Sequence, residues 1–329
     1  MKICLISFDY WGLDRHISDS LRKRSIDCHH IDISKFSYSY PTFWHRIGNF
    51  FSKLLLRRNI KHVKRDRYIL DQLAAIGKQD VILVIRPDLI SEKTHRIIKG
   101  MTANYYAYLY DSMKRFKVGS KLAGFFDEIY SFDEKDANRY NFNHITNYIY
   151  NDGPLEPAAP GKTNPTHPFK VFFVMSVKDR GRVELLNQIA TQLEHLNISF
   201  KFIVVGKKRP KTLHPAIEFS TQNVSANELM EHIQEAEVLL DLVRAEQTGL
   251  SFRIFEALGA EKKIITNNPS VRKYDFYNGN NILLIKDAAD IGRNARFFTN
   301  RYLPVDEEIY SKYTIDHWVK TVFELVDSE

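Results

Sequence analysis

The sequence predicts an α/β protein of two Rossmann-like, doubly wound domains, and three observations carry that reading. At 329 residues the chain is longer than one hydrophobic core usually serves and suits two domains. Short apolar, β-rich runs alternate with helical patterns through both halves, the rhythm of β-α-β units. Between the two series lies Asn151 to Pro168, NDGPLEPAAPGKTNPTHP, rich in Pro and Gly and without hydrophobic periodicity, which reads as a linker.

In the first half, Lys2 to Phe8 (KICLISF) predicts a buried strand, Ile17 to Lys23 a helix and Ile26 to Ile33 a second strand. Ligands of doubly wound sheets collect at the carboxyl ends of strands, so the loop Asp9 to Asp14 is a candidate site. No G-x-G-x-x-G occurs here, and a dinucleotide reading has no support. Thr42 to Arg67 follows, with Trp44, Ile47, Phe51, Leu54 and Leu55 at helical spacing and Arg46, Lys53, Arg57 and Arg58 largely elsewhere. That pattern fits an interfacial membrane helix and equally a helix packed on the sheet with a solvated basic face. Asp80 to Ile85 reads as a parallel-type strand ended by Arg86-Pro87-Asp88. Tyr105 to Tyr110 is another, closed by Asp111-Ser112-Met113-Lys114-Arg115. A carboxylate, a hydroxyl and two cations at a strand's carboxyl end make this the best acid/base constellation of the first half. An Asp there also commonly caps a helix. Glu128 to Phe132 and Ile145 to Ile149 complete the alternation.

After the linker the rhythm restarts with a strand over Lys170 to Met175, the loop SVKDRGR and a helix over Val183 to Leu196. Lys178, Arg180 and Arg182 are cations at a strand-to-helix junction, suited to a diphosphate. Phe200 to Val205 is a strand ending in Gly206-Lys207-Lys208-Arg209, and Asn227 to Glu235 is a helix. The stretch VLLDLVRAEQTGLSFRIFEALGAEKKIITNN then reads as a strand (Val238 to Val243), a polar loop (Arg244 to Thr248), a helix opening at Gly249 and a strand (Lys263 to Thr266). Gly259 is placed to end the helix in a left-handed conformation. A strand feeding a helix through a glycine turn offers unpaired N–H groups and a positive dipole end to an anion. Val305 to Val326 holds a terminal helix with Trp318, Val319, Val322 and Phe323 at helical spacing.

Residues 1–160 carry 25 Lys and Arg against 18 Asp and Glu, whereas residues 161–329 carry 22 of each, so the net charge of +7 lies wholly in the first half. An anionic partner for that half is one reading, solubility the other. No run of about 18 apolar residues predicts a transmembrane helix, and the start MKICLISFDY is not a signal peptide. Two cysteines offer neither a disulfide framework nor metal spacing, and a cytoplasmic location is expected.

Two doubly wound domains, a link and a terminal helix together resemble the GT-B glycosyltransferases. The string QTGLSFRIFEALGAEKKIITNN with KYDFYNGNNI after it is similar to a bacterial group of CgeB-like, lipopolysaccharide- and capsule-associated glycosyltransferases. YLYDSMKR (Tyr108 to Arg115) and YSFDEKDANRYN (Tyr130 to Asn141) resemble the same group. The chain departs from the widespread retaining pattern of two glutamates eight positions apart: position 248 is Thr248, and Glu246 stands ten residues before Glu256. The anomeric outcome is thereby left open.

The resemblance implies two domains facing a central cleft. Residues 1–155 would bind the acceptor, 168–304 the nucleotide-sugar donor, and the helix in 305–329 would return to the first domain. It implies Glu256 as ribose ligand and the helix start at Gly249, Leu250 and Ser251 as the donor phosphate site. Lys178, Arg180, Lys207, Arg253 and Arg244 are the candidate cations for the leaving diphosphate. For an inverting reaction Asp111 is the first candidate base and Asp9 the second. No metal and no other cofactor is expected. The expected partners are a nucleotide sugar, a glycan or lipid-linked glycan acceptor and, through Trp44 to Arg67, an inner-membrane surface, with no nucleic acid. A non-catalytic glycan- or nucleotide-binding protein of this shape, or another sugar-nucleotide enzyme, is the alternative.

Overall fold

The computed structural model describes residues 1–9, 11–39, 59–116, 120–150, 170–244 and 247–326. The linker Asn151 to Pro168, Glu246 and the basic stretch from Trp44 to Arg58 lie outside these residues. The chain divides into two compact units, Met1–Ile145 with Val319–Glu329, and Thr146–Trp318.

The first unit carries β1 (Lys2–Ser7), α1 (Arg15–Lys23), β2 (Asp27–Asp32), α2 (Ile60–Ile76), β3 (Gln79–Ile85), α3 (Glu92–Lys99), β4 (Thr102–Leu109), β5 (Glu128–Ser131), α4 (Glu134–Tyr140) and β6 (Asn143–His144). Its six strands are parallel in the order β2-β1-β3-β4-β5-β6. β1 and β3 are continuous apolar runs because helices cover both faces of a parallel sheet, and Ile3 to Ile6 and Ile82 to Ile85 are fully buried. Side-chain caps start the helices: Ser91 accepts from Thr94 N–H, and Asp133 from Lys135 and Asp136 N–H.

The second unit carries β7 (Val171–Ser176), α5 (Arg180–His195), β8 (Phe200–Val205), β9 (Glu218–Ser220), α6 (Ala226–Glu235), β10 (Val238–Asp241), α7 (Phe252–Gly259), β11 (Lys263–Thr266) and β12 (Ile282–Leu284). The sheet order β12-β11-β10-β7-β8-β9 is parallel throughout. Counted from its own first strand this is 3-2-1-4-5-6, the order of the dinucleotide-binding Rossmann sheet. Alternate strand residues feed two cores: Val171, Phe173, Val238 and Leu240 pack under α5, while Phe172 and Leu239 pack with Ile254 and Phe255 of α7.

Three expectations need correction. Ile145 to Ile149 is not a strand; the edge strand is the preceding Asn143–His144. Tyr148 and Ile149 are buried instead by packing, the Tyr148 ring lying 5.3 Å from Trp318. Ile149 also exchanges backbone hydrogen bonds with Tyr313 and Ile315 at 2.7 and 2.8 Å. The first unit therefore ends at Ile145, before the expected residue 155. That same pairing interrupts the terminal helix, which is two helices, Glu307–Ser311 and α8 (Ile315–Phe323). Residues of α8 from Val319 onward group with the first unit, where Tyr130 donates its hydroxyl to Val322 O at 3.3 Å.

Candidate functional site

In the second sheet β7 lies between β8 and β10, so the connections leaving β7 and β10 run to opposite sides. The crevice outside the carboxyl ends of those two strands is the topological switch point, where ligands of open α/β sheets bind. The loop after β7 brings Lys178 and Arg180, both exposed. Asp179 caps α5 by accepting from Arg182 N–H at 3.2 Å. Arg244, from the loop after β10, places Nε 4.0 Å from Asp179 Oδ2, so one ion pair spans the switch point. Lys207 is exposed after β8. It follows Gly206, where a Cβ would stand 2.4 Å from Val177 Cγ1, so only glycine lets these two loops pass so closely.

The helix after β10 begins at Phe252, not at Gly249, because Ser251 is the capping residue. The Ser251 hydroxyl accepts from Arg253 N–H at 3.2 Å and donates to Asp241 Oδ1 at 2.8 Å. Thr266 donates to the other oxygen, Asp241 Oδ2, at 2.8 Å. Burial raises the Asp241 carboxyl above its ordinary value, and the two hydroxyls and the charges of Arg182 and Arg253 oppose that rise. Gly249 and Leu250 are buried, and their carbonyls accept from Asn268 Nδ2 at 3.2 Å and Asn147 Nδ2 at 2.9 Å. Asn267 accepts from Val243 N–H at 2.8 Å. The loop is thus fastened at both ends by amide and carboxylate side chains that patterning of apolar residues does not single out. Gly259 is the last helical residue and is not left-handed; Glu261 is, at φ 51°, with Lys262 N–H bonded to Ala257 O at 2.8 Å.

Glu256 sits in the second turn of α7 and is 4% exposed. Its Oε1 accepts from the Tyr150 hydroxyl at 2.7 Å. Its Oε2 lies 2.8 Å from Arg253 Nη1, but both atoms are buried without a hydrogen bond, so this is a charge contact rather than a bonded pair. Arg253 also lies over the Phe172 ring, 6.0 Å from its centroid.

In the first sheet the switch point lies between β1 and β3. Asp9 spends both oxygens on the α1 start, accepting from Asp14 N–H at 3.0 Å and Arg15 N–H at 2.9 Å. Asp14 is buried, and burial followed by the Asp9 charge pushes its carboxyl up to about 8, against a hydrogen bond from Ser7. Across from it Arg86 is held left-handed at φ 66° and grips Asp88 through two 2.8 Å bonds. Asp111 is buried after β4, accepting from Ser112 N–H at 3.0 Å and bonded by Arg115 Nη1. Asp111 is therefore not a cap of the following turn; Asp136 fills that role at Met113 N–H, 2.6 Å. Among the described residues no cluster of three His, Cys, Asp or Glu side chains is arranged to hold a metal ion, and no helix is long and apolar enough to cross a membrane.

No family model matches the chain, and no curated protein matches it in sequence. Solved structures match its fold along nearly its full length. A UDP-forming α,α-trehalose-phosphate synthase from Burkholderia xenovorans is 10% identical, covers 98% of both chains and gives a TM-score of 0.60. An α-glucosyltransferase in complex with UDP and a 13-mer DNA is 10% identical over 100% of this chain and 96% of its own, at 0.57. The Methanocaldococcus jannaschii UDP-GlcNAc 2-epimerase, in complex with UDP-GlcNAc and UDP, is 13% identical over 99% and 100%, at 0.53. The two Rossmann-like units are thus the GT-B fold expected from the sequence.

Proposed function

We propose that the chain is a glycosyltransferase, its second unit binding a nucleotide-sugar donor and its first unit a glycan acceptor. One observation carries the reading: the switch point of a 3-2-1-4-5-6 sheet is flanked by a basic loop, Lys178 to Arg182, and by a Ser251-capped helix bearing a buried carboxylate. A departing nucleoside diphosphate gains negative charge. Lys178, Arg180, Lys207, Arg244 and Arg253, with the N–H groups at the α7 start, supply fixed positive charge there without a metal ion. Glu256 takes the ribose, a carboxylate being the natural acceptor for sugar hydroxyls. Asp111 is the acceptor-side base, and Asp9, both of whose oxygens already serve α1, stands second. The three matched structures all involve UDP by their own descriptions, which supports a nucleotide-sugar donor here.

The likeness of the α7 region to the capsule and lipopolysaccharide group favours a cell-surface polysaccharide acceptor. The basic composition of Trp44 to Arg67 favours docking at an anionic lipid surface. Co-sedimentation with anionic vesicles should be lost when that stretch is replaced by a neutral one, and retention would end the membrane assignment. The donor reading is tested by thermal shift with UDP, GDP, dTDP, ADP and CMP in the presence of EDTA. One nucleotide is expected to raise the melting temperature of the native chain but not of Glu256→Ala, and Asp111→Asn should keep that shift while losing turnover. No shift with any nucleotide, or an undiminished shift in Glu256→Ala, would overturn it.

A further inference from the structure

One polar side chain beside the candidate ribose carboxylate has no part in the reading above. Tyr150 donates its hydroxyl to Glu256 Oε1 at 2.7 Å and sets its ring edge-on to Phe252, centroids 6.3 Å apart. Tyr148, 1% exposed, meets the same ring at 5.1 Å, and Asn147 holds the Leu250 carbonyl at 2.9 Å. Residues 147 to 150 therefore grip α7 just before its cap, at its first residue and at its fifth. Burial, then the adjacent carboxylate, raises the Tyr150 phenol far above its ordinary value, so it remains a donor at any physiological pH.

The far side of the carboxylate is unfinished. Glu256 Oε2 and Arg253 Nη1 are buried, 2.8 Å apart, and neither makes a hydrogen bond. Buried polar atoms that make no hydrogen bond, even where a charge lies beside them, are rare in native proteins and call for an explanation. A ligand hydroxyl bonded to Oε2 supplies one, because Oε1 is already taken.

We propose that Tyr150 is a positioning residue for the donor's ribose: by occupying Oε1 it holds Glu256 so that Oε2 and Arg253 receive the ribose hydroxyls of a nucleoside diphosphate. This rests on the donor reading of the same site. It makes discrimination between ribose and a deoxygenated sugar depend on a residue that does not itself touch the nucleotide. A site built to bond a hydroxyl rejects the analogue that lacks it far more strongly than an apolar site does.

The test measures Kd by calorimetry for UDP, ADP and GDP, each against its 2′,3′-dideoxy analogue, on the native chain, Tyr150→Phe and Glu256→Gln. The native chain is expected to prefer one ribonucleotide over its dideoxy form by at least about tenfold, the scale of one charged hydrogen bond. Tyr150→Phe keeps the ring against Phe252. It should weaken the ribonucleotide about tenfold while leaving the dideoxy Kd unchanged, so the preference collapses. Glu256→Gln keeps Tyr150 and an acceptor for it, and should lose the preference entirely. A purely structural Tyr150 would weaken both ligands alike or neither, and either result overturns the proposal, as does a preference that survives Glu256→Gln. A native chain that binds none of the ribonucleotides would instead fail the donor reading itself.

Discussion

At Asp14 burial and neighbouring charge together oppose the ordinary behaviour of a carboxyl. It faces Asp9 and Asp32, takes a hydrogen bond from Ser7, whose hydroxyl also meets His30 Nε2 at 2.9 Å, and its charge acts on Tyr110, which Arg86 bonds. With its carboxyl pushed from 3.8 to about 8, the folded chain keeps a proton there that the unfolded chain releases in acid. The sign follows from linkage: the folded state binds more protons in this window, so stability falls as pH rises. The contribution is whole below about 4 and is lost as pH climbs through about 8. Melting temperature should therefore decline from pH 5 to 9, and Asp14→Asn, which keeps the neutral shape, should flatten that decline. An unchanged profile in Asp14→Asn would show that the proton sits elsewhere. His30, whose protonated form burial disfavours, moves stability the opposite way and leaves the Asp14 component to be read as the difference between the two profiles.

Elements differ in how far the sequence alone makes them legible. The central strands were legible because both faces of a parallel sheet are covered: runs such as KICLIS and DVILVI admit no other economical burial. Ile145 to Ile149 shows the limit of that signal. An apolar run says that side chains are buried, not by what, and here rings of Phe252 and Trp318 bury Tyr148 while the strand pairing goes to the polar Asn143–His144 at the sheet edge. The α7 region divides the same way. The strand-helix-strand order is legible in the apolar runs, but the residues that fix its ends are not the glycines. Ser251 caps the start, and Glu261 takes the left-handed turn at its close. Asp241, Asn267 and Asn268 fasten the loop through hydrogen bonds between side chains and residues up to about 25 positions away, which no local periodicity encodes. Their one sequence trace is polarity at the carboxyl ends of β10 and β11, in LLD and in the Asn267-Asn268 pair. Tyr150 was hidden for the same reason, its partner Glu256 lying 106 residues on.

At the scale of the molecule, each unit has hydrophobic cores of its own. The first gathers Cys4, Ile6, Ile82, Val84 and Tyr105 around β1, β3 and β4, and the second carries separate clusters on the two faces of its sheet. Among the described residues each unit also carries a six-stranded sheet of its own. Chains built this way commonly depart from a single all-or-none transition. Calorimetry is expected to resolve two, and the proposed division of labour predicts how a ligand separates them. A nucleoside diphosphate at about 100 times its Kd stabilises the state that binds it by about 2.7 kcal/mol. For a unit of this size that is a rise of roughly 5–10 °C in one transition. The other transition should stay where it is, and the Asp14 pH dependence should appear in that stationary one. Each of the two perturbations therefore labels a different unit. Nucleotide and pH acting on the same transition would refute the assignment of the donor site to the second unit, whatever the identity of the sugar.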